Sequence, residues 1–288
     1  MFKLMRFSLF LLFLITALAV IAGCTRSGDK AIQIKGSDTM VNLGQAWSEE
    51  FIKDHPEIPI AVTGGGSGTG IAALMSNSCD IAQSSRQMEK KEIELAKKRG
   101  IEPKEFHAAN DGIAVVVHPS NPVKRLTIKQ LSEIFTGKIK NWLELGGIDK
   151  NIVILSRERN SGTHVFFLEH VVKFGDKKNK NEFAPQALMM PSSQAIAEEI
   201  LHNRAAIGYF GLGYLTKKQK VIAIAKKDGS PYVLPSIETV LNKSYPISRS
   251  LLLYTNGKPS EKVTSFIDFI LSKKGQEIVK KMDFVPIK

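Results

Sequence analysis

The sequence predicts an α/β protein with largely parallel sheets, and the alternation of strand-like and helix-like segments supports this class. Short apolar segments rich in β-branched residues alternate with segments of helical periodicity. A parallel sheet needs such an alternation, because the crossover between two parallel strands is usually a helix. The pairs of strand and helix are AIQIKG with 40–54, PIAVTGG with 70–77, GIAVVVHP with 127–135 and NIVIL with 161–174.

Length and composition allow either one large domain or two smaller ones. The chain has 288 residues, of which 43% are hydrophobic, and this is enough for a substantial core. Two apolar segments, DGIAVVVHPSNPV and AAIGYFGLGYL, lie about a hundred residues apart. Either can be an ordinary strand. In a two-lobed protein they would be the places where the chain crosses to the second lobe and back.

The N-terminal segment resembles a bacterial export signal. A basic start is followed by an apolar run over 7–21 and by the ending IAGC. This ending resembles the lipobox of bacterial lipoproteins, in which the cysteine, here Cys24, is acylated and becomes the new N-terminus. The alternative is an uncleaved anchor, although the run is shorter than the roughly 20 residues that a span needs. We expect 1–23 to be a signal peptide, 24–30 a tether, and the mature protein to lie outside the cytoplasm beside a membrane.

The cysteine, histidine and charge patterns argue against several classes of function. If Cys24 carries lipid, Cys79 has no other cysteine to pair with, and we expect a buried free thiol. The six histidines contain no HExxH pattern, so we expect no metal and no cofactor. The net charge of +12 comes largely from lysine-rich runs without interleaved aromatic residues. Such runs are typical of solvated helix faces rather than of nucleic-acid binding.

Three junctions between a strand and a helix share the same residue chemistry. Each passes through glycine with serine or threonine, and the three are IQIKGSDTMVNLGQAW, IAVTGGGSGTGIAALM and IVILSRERNSGTHVFFLEHV. Hydroxyl side chains at a helix start are expected as caps, but one per helix is sufficient for that. Surplus hydroxyl and N–H groups at the positive ends of helices would form a site for an oxyanion. A fourth segment, CDIAQSSRQM, either adds Ser84, Ser85 and Arg86 to this site or is an ordinary turn.

The glycine-rich loop of the second junction does not match a nucleotide-binding motif. A P-loop needs a lysine after its last glycine, and Gly70 is followed by Ile71. No register of the loop gives GxGxxG, and Thr69 replaces the second glycine of a nucleophile elbow around Ser67. An anion smaller than a nucleotide is compatible with the loop.

These segments occur in the order typical of the phosphate-binding proteins of bacterial ABC phosphate importers, the PstS type. The sequence resembles this family over nearly all of the mature chain, most specifically in LSEIFTGKIKNW and in the RxxxSGT pattern of RERNSGT. The resemblance implies the class II periplasmic-binding-protein fold, with two α/β lobes, two crossover strands and the ligand in the cleft between the lobes. By this analogy, lobe one is 31–112 plus 216–288, and lobe two is 113–215.

The resemblance also implies which residues would hold one inorganic phosphate. Thr39 would donate through its hydroxyl and N–H groups, and Ser67 through its hydroxyl and the amides of its loop. Arg157 would pair with the phosphate charge. The expected phosphate-binding residues are Ser37, Asp38, Thr39, Met40, Ser67, Ser85, Arg86, Arg157, Ser161, Gly162 and Thr163.

One position departs from part of the family. Some members have an aspartate in the cleft that accepts the proton of monohydrogen phosphate, and Ser85, followed by Arg86, stands there in this sequence. Such an acceptor disfavours fully ionised sulfate, because two acceptors would face each other without a proton. Asp38 is a candidate for this role by its proximity to Thr39, and the alternative is that it caps a helix and points away.

The resemblance implies a monomeric, lipid-anchored receptor that binds inorganic phosphate and delivers it to ABC permease subunits. Alternatives are a receptor for sulfate, molybdate or tungstate, or a surface protein that senses phosphate, adheres or signals. A serine hydrolase using Ser67 or Ser161 would need a histidine base and an acidic partner, and no motif supplies them. We therefore expect no enzymatic activity.

Overall fold

The computed structural model describes residues 30–287, and from Ile32 onward the chain forms one compact unit. The expected signal peptide 1–23, the expected lipid site Cys24 and nearly all of the expected tether 24–30 lie outside the described residues. Within residues 30–287, no helix is both long enough and apolar enough to cross a bilayer.

Strands and helices alternate after residue 32, which confirms the predicted pattern. The helical spacing of Leu43, Trp47 and Phe51 gives the first long helix one apolar face, and that face is buried. The elements of this part are β1 (Ile32–Gly36), a 3-10 helix (Asp38–Met40), α1 (Val41–Asp54), β2 (Ile60–Thr63), α2 (Ser67–Met75), β3 (Ile81–Ser84) and α3 (Lys90–Lys98).

The long strand β4 (Pro103–Val117) joins two parts of the sheet. Its segment up to Gly112 pairs antiparallel with β11 (Ser248–Asn256). From Ile113 onward it pairs antiparallel with β8 (Ala206–Gly211). One extended segment therefore belongs to both groups of strands.

Strands and helices alternate again between β4 and β11. Thr127 caps a helix by accepting a hydrogen bond from the Gln130 N–H, and Asn141 caps the next one by accepting from the Leu143 N–H. The elements are β5 (Arg125–Thr127), α4 (Ile128–Phe135), a 3-10 helix (Trp142–Leu145), β6 (Val153–Arg157), α5 (Gly162–Phe167) with a π-helical turn (Leu168–Val172), β7 (Leu188–Met190), α6 (Ser193–His202), β8, a 3-10 helix (Leu212–Tyr214), β9 (Lys220–Val221), β10 (Ala223–Ala225) and α7 (Ile237–Leu241).

The main sheet is mixed rather than largely parallel. Its strand order is β2-β1-β3-β11-β4-β8-β6-β7, with β9 also paired to β4. β1 is parallel to β2 and β3, and β6 is parallel to β7 and β8, as expected of strands joined by helices. β11 and β4 are antiparallel to each other and to their outer neighbours β3 and β8. The pattern of alternation does not reveal this reversal, because the reversal depends on how distant segments pair. Two helices follow β11, namely α8 (Glu261–Leu271) and α9 (Lys273–Lys281).

Buried apolar side chains form two large clusters, one for each part of the sheet. The Trp47 cluster combines residues of β1 and α1 with Phe266 and its neighbours on α8. The Trp142 cluster combines the end of β4 with Ile207 of β8, and it also includes Ile224 and Ile247. Residues as late as Ile247 therefore belong to the Trp142 cluster, although the expected lobe two ends at 215. The lobe boundaries stay a prediction.

Two groups of buried residues come from segments that the sequence singles out. Leu131, Ile134, Phe135 and Trp142 of LSEIFTGKIKNW are fully buried in the Trp142 cluster. Cys79 is a buried free thiol, as the sequence predicts. Burial raises the pKa of its thiol to about 12, so Cys79 is protonated at neutral pH.

Candidate functional site

Four loops that follow the carboxyl ends of strands meet at one place. They are the three predicted helix entrances, after β1, β2 and β6, and the predicted fourth segment after β3. Ligand sites of α/β proteins usually lie at the carboxyl ends of strands. β1, β2 and β3 are parallel and their carboxyl ends share one edge, whereas β6 runs in the opposite direction, so its carboxyl end reaches the site from the other part of the sheet. The sequence prediction that these loops share one location is consistent with their contacts.

Buried hydroxyl groups lie at the centre of the four loops. The Oγ1 atoms of Thr39 and Thr163 are 2.9 Å apart, and the Oγ atoms of Ser67 and Ser85 are 3.3 Å apart. The Ser85 N–H also donates to Ser67 Oγ, over 3.0 Å. Each of these four side chains is at most 1% exposed. Neutral donors without a carboxylate among them suit an anion better than a cation.

Gly162 is the residue that brings the two pairs of hydroxyls together. A Cβ atom at this position would lie 2.3 Å from Ser67 Oγ and 2.6 Å from Ser85 Oγ. Only glycine therefore permits the start of α5 to approach the start of α2 so closely. The backbone adds a second contact between the same loops, because the Gly68 N–H donates to the Asn160 carbonyl oxygen over 2.9 Å.

Ser161 has the capping role that competes with anion binding. Its Oγ accepts from the N–H groups of Thr163 and His164, at 3.2 Å and 3.4 Å. Ser67, by contrast, begins α2 after Gly66, whose φ of +94° favours glycine, and it makes no capping bond through its side chain. Ser37 is buried and its Oγ has no hydrogen-bond partner within the described part of the chain. An unpartnered hydroxyl of this kind has a donor to offer a ligand.

Asp38 and Arg157 form an ion pair between the loop after β1 and the end of β6. Arg157 Nη1 lies 3.0 Å from Asp38 Oδ2, and the same oxygen accepts from the Ser193 N–H over 2.9 Å. Arg157 also donates to Ser193 Oγ, Met190 O and Pro191 O. Tyr214 adds a bond from its hydroxyl to the Asp38 carbonyl oxygen. Asp38 thus points towards Arg157 and the start of α6, and its side chain does not cap the 3-10 helix to which it belongs.

Two expected site residues have their polar groups engaged elsewhere. The Met40 N–H donates to the Ser37 carbonyl oxygen over 3.0 Å. Arg86 makes a two-pronged pair with Glu92 on α3, with both N···O distances 2.7 Å, and it donates to the Gln87 carbonyl oxygen. Arg86 therefore holds α3 against the loop after β3, while its neighbour Ser85 faces the hydroxyl cluster.

Arg249 and Asp111 are site residues that the sequence analysis does not identify. They lie opposite each other in the β11 and β4 register, and Arg249 Nη2 is 2.9 Å from Asp111 Oδ2. The same Nη2 donates to the hydroxyls of Thr39 and Thr163, at 3.3 Å and 3.0 Å. The sequence shows only that one residue separates each of the two charges from an apolar strand segment, in SRSLLLY and NDGIAVVV, and this does not reveal that they pair.

Burial and ion pairing shift the pKa values of Asp111 and Arg249 in opposite directions. Burial raises the pKa of the Asp111 carboxyl, while Arg249 and the Leu212 N–H, which donates to Asp111 Oδ1, favour the ionised form. Burial likewise lowers the pKa of Arg249, and Asp111 opposes that shift. Each partner therefore keeps the other charged in an environment that excludes water.

His164, which lies in α5, is a further titratable group near the loops. Its Nδ1 lies 3.2 Å from Ser156 Oγ, which in turn bonds to the Tyr209 hydroxyl, and its ring packs against Phe183. Burial lowers the pKa of His164 to about 4. The ring contacts Ser156 and not Ser161, so it is not placed as a base for Ser161. Within residues 30–287, no group of His, Cys, Asp and Glu side chains is arranged to hold a metal ion.

Known families and structures resemble the chain over most of its length. Residues 24–274 match the model of the PBP superfamily domain. PstS phosphate-binding proteins of Pseudomonas aeruginosa and Bacillus subtilis are each 32% identical, over 269 and 261 residues. These alignments cover 88% and 89% of this chain and 81% of each relative.

Two solved structures of proteins described as phosphate transport receptors also resemble the chain. A protein of Clostridium perfringens assigned as a phosphate ABC transporter substrate-binding protein, with bound phosphate, has a TM-score of 0.80 at 36% identity, covering 90% of this chain and all of that one. An ABC-type phosphate transport receptor of Vibrio cholerae has a TM-score of 0.70 at 30% identity, covering 88% of this chain and 99% of that one. These similarities confirm the predicted α/β fold of the PBP type. The chain therefore belongs to the PBP superfamily and, within it, to the PstS family of phosphate-binding proteins, which are binding proteins and not enzymes.

Proposed function

We propose that this protein is a receptor that binds one inorganic phosphate and delivers it to the permease of an ABC transporter. The observation that supports this most strongly is the buried cluster of Thr39, Ser67, Ser85 and Thr163 hydroxyls around Gly162. This cluster lies in a chain whose relatives in Pseudomonas aeruginosa and Bacillus subtilis are named phosphate-binding proteins.

The chemistry of the cluster suits a tetrahedral oxyanion. Hydroxyls rotate to donate to an oxygen that enters between them, and no carboxylate has to be displaced. The Ser37 hydroxyl and the amides of Gly162 and Thr163 would add donors from the same loops. We propose that phosphate replaces the direct bond between Thr39 and Thr163, so that each hydroxyl donates to the anion instead of to the other threonine.

The position of these donors supports the expected two-lobed closure. We propose that lobe one contains residues up to 112 and from 248 onward, and that lobe two is 113–247. The chain would then return to lobe one after 247, which is later than the expected boundary near 215. Thr39, Ser67 and Ser85 then belong to lobe one, and Thr163 belongs to lobe two. Phosphate would contact both sets only when the lobes are closed, so it would shift the population towards the closed state.

The pair of Arg157 and Asp38 would fix the closed arrangement. Arg157 comes from lobe two and Asp38 from lobe one, so their contact forms only on closure. Arg157 would also contribute positive charge near the phosphate, although most of its N–H groups are already bound to Asp38, Ser193, Met190 and Pro191. Arg86 would support the Ser85 loop from outside the cluster.

The place of action is proposed from the N-terminal sequence. The pattern over 1–24 supports export followed by acylation of Cys24, so that the receptor stays beside the membrane that holds its permease. Replacement of Cys24 by alanine, followed by metabolic labelling with a radioactive fatty acid, tests the anchor. Labelling of the native protein alone is expected, and equal labelling of both proteins would contradict the acylation site.

The receptor role is tested by uptake of radioactive phosphate. Cells that lack the gene are expected to lose high-affinity uptake, and the native gene is expected to restore it. A variant with Gly162→Val is expected to be exported normally but not to restore uptake, because its side chain would collide with Ser67 and Ser85. Unchanged uptake without the gene would contradict the receptor role and favour a surface protein that uses the same fold for sensing or adhesion.

A receptor for sulfate, molybdate or tungstate is the second candidate. Hydroxyl donors serve any of these anions, and Ser85 occupies the position at which some family members have a proton-accepting aspartate. Competition of each anion with bound phosphate at pH 6 and pH 8 distinguishes the candidates. Displacement of phosphate by equimolar sulfate would favour this alternative.

A further inference from the structure

The Arg249 guanidinium touches more of the hydroxyl cluster than any expected site residue does. It donates to the Ser85 carbonyl oxygen through Nη1 and to Thr39 and Thr163 through Nη2. These three partners come from three different loops, after β3, β1 and β6. Its side chain is 2% exposed, so the charge has almost no contact with water.

Asp111 fixes the direction in which this guanidinium points. Arg249 Nε and Nη2 both donate to Asp111 Oδ2, at 3.1 Å and 2.9 Å. The two residues are direct partners in the antiparallel register, so the pairing of β4 with β11 brings them to the same face of the sheet. Leu212 holds the carboxylate from its other side. The Nη groups are therefore oriented before any ligand arrives.

The two arginines of the site differ in what they leave for a ligand. Arg157 contacts a carboxylate, a serine hydroxyl and two backbone carbonyl oxygens, and none of the four cluster hydroxyls is among its partners. Arg249 contacts two of those hydroxyls directly. The Phe166 ring, with its centroid 5.8 Å from the Arg249 guanidinium carbon, covers the same group.

We propose that Arg249, oriented by Asp111, is a further phosphate-binding residue of this protein. It donates from Nη2 to the phosphate oxygen that enters between Thr39 and Thr163, and so it supplies the charged donor at the centre of the cluster. This inference rests on the proposed function, because it assigns a role within the same site. It places the charge on β11, outside the segments that carry the expected donors.

The experiment replaces the ion pair by a neutral pair of similar shape, in Arg249→Gln with Asp111→Asn. Wild-type and double-variant pairs both have zero net charge, so long-range attraction of anions is unchanged while the charged donor is lost. The matched control is Arg204→Gln, which removes an exposed arginine distant in sequence from the four loops. Calorimetric titration with inorganic phosphate measures affinity, and circular dichroism in phosphate-free buffer measures folding.

The double variant is expected to bind phosphate about 10- to 100-fold more weakly, as loss of a charge-assisted hydrogen bond predicts. The Arg204→Gln control is expected to bind as the native protein does. Binding by the folded double variant within about twofold of the native affinity would overturn the inference. If the native protein itself gave no phosphate binding, the proposed function would fail instead, and the two failures are therefore distinguishable.

Single variants decide the question if the double variant does not fold. Asp111→Asn keeps the guanidinium and an acceptor oxygen that can orient it but removes the neutralising charge, so phosphate affinity is expected to be at least native and to fall more steeply with salt. Arg249→Lys keeps the charge but lacks the several N–H groups with which the guanidinium contacts Asp111 and the two threonines at once. About tenfold weaker binding is therefore expected. Native affinity in Arg249→Lys together with weaker binding in Asp111→Asn would show a purely structural pair and overturn the inference.

Discussion

The hydroxyl oxygens of Thr39 and Thr163 lie 2.9 Å apart, although the two residues are 124 positions apart in the sequence. Each lies where a strand leads into a helix, and the two junctions belong to different parts of the sheet. This contact therefore joins the two parts, and substitutions at the two positions test the proposed closed arrangement.

Thr39→Val and Thr163→Val are each expected to weaken phosphate binding about tenfold, because each removes one hydrogen-bond donor from a buried site. The ligand-free protein is expected to lose less stability in the double variant than the sum of the two single losses, since both remove the same bond. Titration calorimetry and urea unfolding measure the two effects. Thr136→Val, at the end of α4, is the control with native affinity, and equal losses in all three variants would contradict a specific role.

Gly162→Ala is expected to weaken phosphate binding by about 10- to 100-fold, since its Cβ would meet two serine oxygens within 2.6 Å. The fold itself is expected to survive, because the collision occurs only where the two loops approach each other. Gly64→Ala, whose Cβ would meet only a Val41 methyl group 3.0 Å away, is expected to have a smaller effect. Small-angle scattering with saturating phosphate measures the closure, and native affinity in Gly162→Ala would contradict the close approach.

Asp38→Asn is expected to weaken phosphate binding about tenfold without changing the preference for phosphate over sulfate. The physical reason is that Asp38 Oδ2 holds Arg157 and the Ser193 N–H, so that its loss weakens the closed state rather than the reading of the phosphate proton. Competition titrations at pH 6 and pH 8 measure the preference. If Asp38→Asn instead bound sulfate as well as phosphate, Asp38 would be the acceptor of the phosphate proton.

Stability is expected to fall in acid because of His164. Its pKa in the folded protein is lowered to about 4 by burial, whereas an unfolded histidine titrates near 6.5. The unfolded state therefore binds more protons between these values, and stability is complete above about pH 6.5 and decreases towards pH 4. The expected loss is about 3 kcal/mol across this range.

The contribution of His164 is separated by comparing the native protein with His164→Gln. Urea unfolding at pH 7.5 and pH 5 measures the dependence for each. A smaller decrease for His164→Gln is expected, since glutamine cannot take up a proton. An equal decrease in both proteins would assign the acid sensitivity to other groups.

The local part of the site could be predicted from the sequence, because loops, glycines and hydroxyl residues are neighbours in the chain. The segments around Thr39, Ser67, Ser85 and Ser161 all lie at the site, in the elements that the sequence indicates. Arg249 and Asp111 could not be placed there, since their role follows from the register of two strands and they are 138 residues apart. The same is true of the antiparallel part of the sheet, which depends on that pairing.

Residue chemistry alone also did not determine which way individual side chains point. Arg86 follows Ser85 directly, yet its guanidinium turns to Glu92 on the neighbouring helix. Ser161 combines a site position with a capping role, so the two interpretations of its hydroxyl are not exclusive. Such choices depend on the competing partners that packing supplies.

The central claim is that the protein holds one inorganic phosphate between the loops of Thr39 and Thr163. Its most direct test is isothermal titration of the chain from residue 25 onward, freed of bound phosphate by partial unfolding and dialysis, with phosphate and then with sulfate. We predict tight one-to-one binding of phosphate that sulfate does not match. The absence of phosphate binding by protein that circular dichroism shows to be folded would contradict the claim.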